Sequence, residues 1–136
     1  MFIRRLIKVV LTLSSLMAPP LMLSAHAQPR GDWDPTDLEL LRLPQYCIGQ
    51  FRKEHWNKPG YRIVGCGTFI NHFCPALVGL MRAENVLAPK KERRHYFNTS
   101  GNHLAYTRKN MPQNCSVAND IAAAELRHRL LSISLK

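Results

Sequence analysis

Three residues in the middle of the chain have types that bind metals or act as nucleophiles: Cys66, His72 and Cys74, within the segment GCGTFINHFCPALVGLMRA. Zinc sites favour closely spaced pairs such as C-x2-C. Here the spacing is C-x5-H-x-C, and no C-x-x-C occurs anywhere in the sequence. Cys115 or His103 would have to supply a further ligand. The spacing therefore disfavours a metal site. A metal- or redox-active binding protein that uses His72 with Cys66 and Cys74 is retained as the alternative.

The cysteine count favours disulfides. Cys47, Cys66, Cys74 and Cys115 are the four cysteines of the chain, and an even number in an exported protein is typical of two bridges. Four cysteines allow three pairings, which the spacing alone does not settle. If consecutive helices pack antiparallel, Cys47 and Cys74 lie at similar distances from the connection between their helices. Cys66 and Cys115 each precede a helix, and two helices separated by one partner run parallel. This order favours the pairs Cys47–Cys74 and Cys66–Cys115.

Sequence motifs of catalysis are missing. The chain has no G-x-S-x-G elbow and no glycine-rich phosphate loop, and the absence of C-x-x-C-H disfavours covalent haem attachment. A Cys/His nucleophilic pair would need an unpaired, activated thiol, which an even cysteine count does not leave. We therefore expect a protein that is not an enzyme and has no cofactor.

The first 27 residues, MFIRRLIKVVLTLSSLMAPPLMLSAHA, have the pattern of an export signal. A basic start is followed by an apolar stretch from Leu11 to Leu23 and by an A-x-A end at Ala25 to Ala27. Retention as a membrane anchor is the alternative, but serines and a Pro-Pro pair interrupt the apolar stretch, which is short for a span of about 20 residues. The pattern predicts cleavage after Ala27 and a periplasmic or secreted protein.

The chain is basic, with 19 Lys and Arg against nine Asp and Glu. The leader holds three of the basic residues and none of the acidic ones, which leaves a net charge of +7. Such a charge favours acidic partners or contact with an anionic membrane surface. The charges are scattered apart from one run, so nucleic acid is not an expected partner. Candidate contact residues are Trp33, Trp56, Lys90, Lys91, Arg93 and Arg94.

Beyond a flexible lead at 28–33, the pattern predicts a single all-α domain over 34–136, a small bundle of four to five helices. Asp34 is the expected N-cap of the first helix, with Leu38, Leu40 and Leu41 facing inward. Ser116 is the expected N-cap of the last. In that last helix, one apolar side is widened by a second set: Ala122, Leu126, Leu130 and Ile133. The predicted helices are 34–43, 44–54, 68–85 with a start or kink near the proline at 75, 91–109, and 116 to near the C-terminus.

Three segments, LPQYC, NHFCPALVGLMRAENVL and HLAYTRKNMPQNCSVANDI, resemble small exported bacterial proteins with a tetratricopeptide-like helical core. The positions that carry the resemblance are Leu43, Pro44, Tyr46, Cys47, Asn71, His72, Cys74, Leu77, Arg82, Ala83 and Tyr106. The resemblance implies a helix-turn-helix scaffold that makes protein contacts, with no chemistry to transfer. It departs from a repeat array, because only one hairpin with flanking helices is present, whereas arrays need about three units.

Together these features predict an exported, non-catalytic helical scaffold of the bacterial cell envelope. We expect two disulfides to staple it and another envelope protein or complex to be its partner.

Overall fold

The computed structural model describes residues 33–135, which are helical and contain no strand. The predicted signal peptide, 1–27, and most of the predicted flexible lead lie outside the described residues. Five α-helices are joined by short connections, except between the second and the third, where a longer segment holds two short 3₁₀ helices, Lys53–His55 and Thr68–His72. The α-helices are α1 (Asp37–Leu40), α2 (Gln45–Phe51), α3 (Phe73–Glu84), α4 (Lys90–Asn110) and α5 (Ala118–Ser134). The all-α prediction is confirmed.

Helix α3 forms the centre of the domain, since ten of its twelve residues are buried. Pro75 stands in its first turn, where a missing backbone N–H leaves no hydrogen bond unmade. Proline is therefore tolerated close to the helix start, and the preceding residues form the 3₁₀ helix Thr68–His72. The sequence predicts either a helix start or a kink near Pro75, and the structure shows a helix start.

Helices α3 and α4 form an antiparallel hairpin that is tightest at Gly79. A Cβ added there would lie 2.9 Å from the Cβ of Ser100 and 3.3 Å from the carbonyl oxygen of Tyr96. On the inner face of α4, Ser100, Leu104 and Thr107 are buried, and Tyr96 and Phe97 pack against the core.

Helix α5 returns antiparallel to α4, and Gly101 lets the two helices approach. A Cβ on Gly101 would lie 2.7 Å from Nε2 of His128. The His128 ring stacks on Phe97 with 4.0 Å between ring centroids, and Nε2 lies 2.9 Å from the Phe97 carbonyl oxygen. A glycine in the middle of a helix costs about 1 kcal/mol relative to alanine, and at Gly101 the close approach of α5 accounts for it.

Two disulfides hold the N-terminal half against this core: Cys47–Cys74 and Cys66–Cys115. Their Cα atoms are 5.5 Å and 4.4 Å apart. The first joins α2 to α3. The second joins the loop before the 3₁₀ helix Thr68–His72 to the residues before α5. The predicted pairing is confirmed, and all four cysteines are bridged.

Arg82 of α3 connects the short helix α1 to the hairpin. Its guanidinium forms a two-pronged ion pair with Glu39, at 2.8 Å and 3.0 Å, and donates to the Asp34 carbonyl oxygen at 3.0 Å. It also lies 5.2 Å from the centre of the Tyr96 ring. Burial raises the pKa of Glu39, but hydrogen bonds from Arg82 and Thr36 outweigh that effect and hold the pKa below its usual value.

The start of α1 differs from the prediction. Thr36 is the N-cap, in a capping box in which its hydroxyl accepts from Glu39 N and Glu39 accepts from Thr36 N. Asp34 instead pairs with Arg52 at 3.4 Å. Because the helix is only one turn long, Leu40 is buried while Leu38 and Leu41 are exposed. The expected inward orientation of these two leucines is therefore wrong.

Two other helix ends also differ. Helix α2 ends at Phe51 rather than near 54, since a 3₁₀ turn follows at Lys53–His55. The N-cap of α5 is Val117 rather than Ser116. The Ser116 hydroxyl donates instead to the Val64 carbonyl oxygen at 2.9 Å, next to the Cys66–Cys115 bridge. The Ser116 side chain, which the local sequence predicts to be a helix cap, thus makes a tertiary contact instead.

We predict that Gly79→Ala destabilises the oxidised protein by about 1–2 kcal/mol. Alanine favours a helix by about 1 kcal/mol over glycine, but overpacking a tight contact costs about 1–3 kcal/mol, and the Ser100 Cβ cannot rotate away. Urea unfolding of Gly79→Ala, Ser100→Gly and the double variant gives the coupling between the two sites. We expect Ser100→Gly to recover part of the loss. A Gly79→Ala protein as stable as the wild type would contradict the close approach.

Candidate functional site

The residues of the metal alternative do not come together as a thiolate site. Cys66 and Cys74 belong to different disulfides, so a thiolate at either would require reduction of its bridge. Within residues 33–135, no group of three or more His, Cys, Asp or Glu side chains is placed to hold a metal ion. His72 instead contacts His103, with 2.8 Å between their Nδ1 atoms.

The two histidines belong to an aromatic cluster between the 3₁₀ helix Thr68–His72 and α4. The His72 ring lies 4.3 Å from the Tyr106 ring, and the His103 ring meets Trp33 edge-on at 4.5 Å. Phe69 meets Tyr106 at 5.8 Å. Trp33, which the sequence suggests as a contact residue, is therefore half-buried in this cluster.

The His72–His103 contact needs one ring nitrogen to donate a proton and the other to accept it. Burial lowers the pKa of His103, and the adjacent His72 lowers it further. Protonation of both rings would remove the hydrogen bond and place two positive charges together. The contact between these two rings therefore stabilises the fold only while at least one of the rings is neutral.

The basic run at the start of α4 has two different roles. Arg93 Nε donates to the Ala83 carbonyl oxygen at 2.8 Å, and Arg94 Nη2 donates to the Leu135 carbonyl oxygen at 3.2 Å. These two arginines satisfy carbonyls at the ends of α3 and α5, as basic side chains commonly do. Lys90 and Lys91 are exposed.

The outer face of α5 is apolar although it faces solvent. Leu126, Leu130 and Ile133 are 58%, 60% and 70% exposed. With the exposed Ala122 and Ala123 they cover an arc of about 100° of the helix. The opposite side, which includes Ile121, Ala124 and Leu131, is buried. The expectation that the second set merely widens the inner face is therefore wrong, because a helix that is apolar on both sides meets the core with only one.

A shallow groove of about 400 Å³ runs beside this face, lined by Glu84, Ala123, Leu126, Arg127, Leu130 and Leu131. Arg127 forms an ion pair with Glu84 across it. Val86 and Leu87, in the turn that follows α3, are also largely exposed. We call the residues Ala122, Ala123, Leu126, Leu130 and Ile133 the α5 outer face. Contiguous exposed apolar surface of this kind marks interaction sites in other proteins.

A second groove, of about 390 Å³, lies between α2, the following loop and the 3₁₀ helix Thr68–His72. Trp56, the other tryptophan suggested as a contact residue, forms one wall and is 49% exposed. Sequence reasoning missed this groove, because the loop has no periodicity and its glycines and prolines signal only an irregular connection.

We predict that the protein loses stability as the pH falls from about 7.5 to about 5.5, in part through His103. Its pKa is lower in the folded than in the unfolded chain, so in this range the unfolded chain binds more protons and acid favours unfolding. His103→Gln should reduce the difference in unfolding free energy between the two pH values, measured by urea denaturation without reductant.

His95→Gln is the matched control, since His95 is an exposed histidine of the same helix. It should leave that difference unchanged. An equal pH dependence in His103→Gln and the wild type would contradict the assignment.

No helix in the part of the chain that the structure describes is long and apolar enough to cross a membrane. The two disulfides are typical of proteins outside the reducing cytoplasm. No protein-family model, curated protein or solved structure matches the chain.

Proposed function

We propose that this protein is an exported, non-catalytic scaffold of the bacterial cell envelope that binds another envelope protein through the α5 outer face. The observation that carries the proposal is the exposure of Leu126, Leu130 and Ile133 along one side of a well-packed helix. Burying a leucine or isoleucine side chain contributes about 1.5–3 kcal/mol. A partner that covers these three would therefore gain much of the free energy of a specific complex.

The shape of this surface favours a helical partner. The apolar residues recur at spacings of four and three along α5, which is the pattern that accepts the apolar stripe of another helix. Arg129 is exposed beside the stripe, and Lys90 and Lys91 are exposed at the start of α4, whose first turns lie near the end of α5. Glu92 is the acidic residue of that turn. The excess of positive charge favours a partner helix with acidic flanks.

The disulfides support a binding role over a catalytic one. A bridged domain whose thiols are all paired offers no sulfur nucleophile. Its bridges instead fix the N-terminal half against the core and tie the residues just before α5 to the loop that ends at Cys66. Preorganised surfaces of this kind bind with less loss of conformational entropy.

Site-specific photo-crosslinking tests the proposal in cells. A p-benzoylphenylalanine at Leu130 should give one discrete adduct with another envelope protein, which mass spectrometry identifies. The same residue at Ala105, an exposed position of α4, is the control and should give none. An adduct at twice the mass of this chain, equal labelling from both positions, or no adduct at Leu130 would contradict a protein partner at the α5 outer face.

We further predict that Leu126→Glu and Leu130→Glu each weaken binding to the purified partner by about tenfold or more, because each places a charge in an apolar interface. Titration calorimetry gives the affinities. Ala105→Glu, a charge added elsewhere on the surface, should bind as the wild type does. Both leucines are exposed, so thermal unfolding should remain close to that of the wild type. Unchanged affinity in both leucine variants would contradict the proposed surface.

A further inference from the structure

The groove beside Trp56 is built by an irregular segment that is braced at several points. The Tyr61 carbonyl lies against Gly49 of α2, so closely that any Cβ at position 49 would collide with it. The rings of His55 and Tyr61 stack with 4.7 Å between centroids. The Cys66–Cys115 bridge and the hydrogen bond from Ser116 to Val64 fix the far end.

Three glycines in the sequence allow the backbone to follow this irregular path. Gly60, Gly65 and Gly67 have φ values of 79°, 74° and 71°, a region that side-chain-bearing residues rarely adopt. Long irregular loops in compact domains are uncommon and are usually functional or disordered. A loop held by a disulfide, a ring stack and a backbone contact is not disordered, which leaves function as the reason for its length.

The lining of the groove combines apolar side chains with hydrogen-bonding groups. Trp56, Ile63 and Ile70 supply apolar surface, and Gln50, Thr68 and Asn71 supply hydrogen-bonding groups. The Gln50 amide donates to the Asn71 carbonyl oxygen, so it ties α2 to the 3₁₀ helix across the groove. This composition and the volume of about 390 Å³ lie within the range of small-molecule sites.

Arg62 is the one charged residue among those lining this groove. Within residues 33–135 its guanidinium has no hydrogen-bond or ion-pair partner, whereas Arg52, Arg82, Arg108 and Arg127 all pair with carboxylates. Asp120 contacts the lining of the groove, because its carboxylate accepts a hydrogen bond from the Tyr46 hydroxyl at 2.7 Å. Burial and Asp120 raise the pKa of Tyr46, which keeps its phenol protonated.

We propose that this groove binds a small organic carboxylate with an apolar body. The carboxylate pairs with the fork of Arg62, which matches its geometry, and the apolar body lies against Trp56, Ile63 and Ile70. A single arginine suits the single charge of a carboxylate better than the double charge of a phosphate. The site is distinct from the α5 outer face, because no residue of that face lines the groove.

Titration of the oxidised, ¹⁵N-labelled protein with phenylacetate tests the proposal, with neutral phenylacetamide as the matched ligand. We expect phenylacetate to shift the Trp56 indole N–H and the backbone amides of 62–71 in the NMR spectrum. It should bind about tenfold or more tightly than phenylacetamide, since a hydrogen bond between two charged groups is stronger than one to a neutral amide. Arg62→Gln should remove this preference, and Arg62→Lys should retain part of it.

Arg129→Gln, at an exposed arginine of α5, is the matched control and should bind both ligands as the wild type does. Equal binding of the two ligands, an unchanged preference in Arg62→Gln, shifts outside the groove, or no shift at all would overturn the proposal. Tighter binding of phenyl phosphate than of phenylacetate would overturn the assignment to carboxylates. None of these results depends on the partner of the α5 outer face.

Discussion

The burial of α3 on nearly every side is the constraint on which the rest of the structure depends. A twelve-residue helix with ten buried residues must be covered by all the other elements of a domain of about 100 residues. Helix α4 covers one side and needs Gly79 for its close approach. The short α1 and α2 cover another side and are too short to be stable alone. Arg82 and the Cys47–Cys74 bridge attach them to α3, so a charge pair and a disulfide replace apolar area that these helices cannot bury.

The same constraint explains why α5 leaves a surface open. Once α3 and α4 have formed their hairpin, α5 can meet it with only one side, and Ile121, Ala124 and Leu131 take that side. Nothing in residues 33–135 covers Leu126, Leu130 and Ile133. Because small domains seldom expose contiguous apolar area without a use, we place the proposed partner on the unpaired side of α5.

Much of this fold could be predicted from the sequence, because its signals are local. The helical periodicity gives α3, α4 and α5, and the even cysteine count with the helix order gives the bridges. The capping box Thr36-x-x-Glu39 was also readable as a T-x-x-E signature, but the Asp-Pro pair that precedes it is an equally good helix start. Asp34 loses this competition because Arg52, eighteen residues away in the chain, pairs with it.

The features that could not be predicted depend on register between distant segments. His72 and His103 are 31 residues apart, and only the packing of the 3₁₀ helix on α4 brings their rings together. Apolar residues lie on both sides of α5, so the sequence pattern does not indicate which side faces the core and which faces solvent. The groove of Trp56 and Arg62 likewise arises only where the loop packs on α2, with the Tyr61 carbonyl against Gly49 and the Cys66–Cys115 bridge fixing the far end.

The positions on which the sequence-based expectation of a tetratricopeptide-like family rests mostly hold the scaffold. Cys47 and Cys74 bridge, Arg82 ties α1 to α3, and His72 and Tyr106 pack together. Trp56 and Arg62 are not among these positions, and neither are the leucines of the α5 outer face. Residues that maintain a fold and residues that select a ligand are under different physical demands: the first must fit their neighbours, and the second must stay available. In both of our proposals, recognition falls to residues of the second kind, in the loop and on the outer face, which the packing of α3 leaves free.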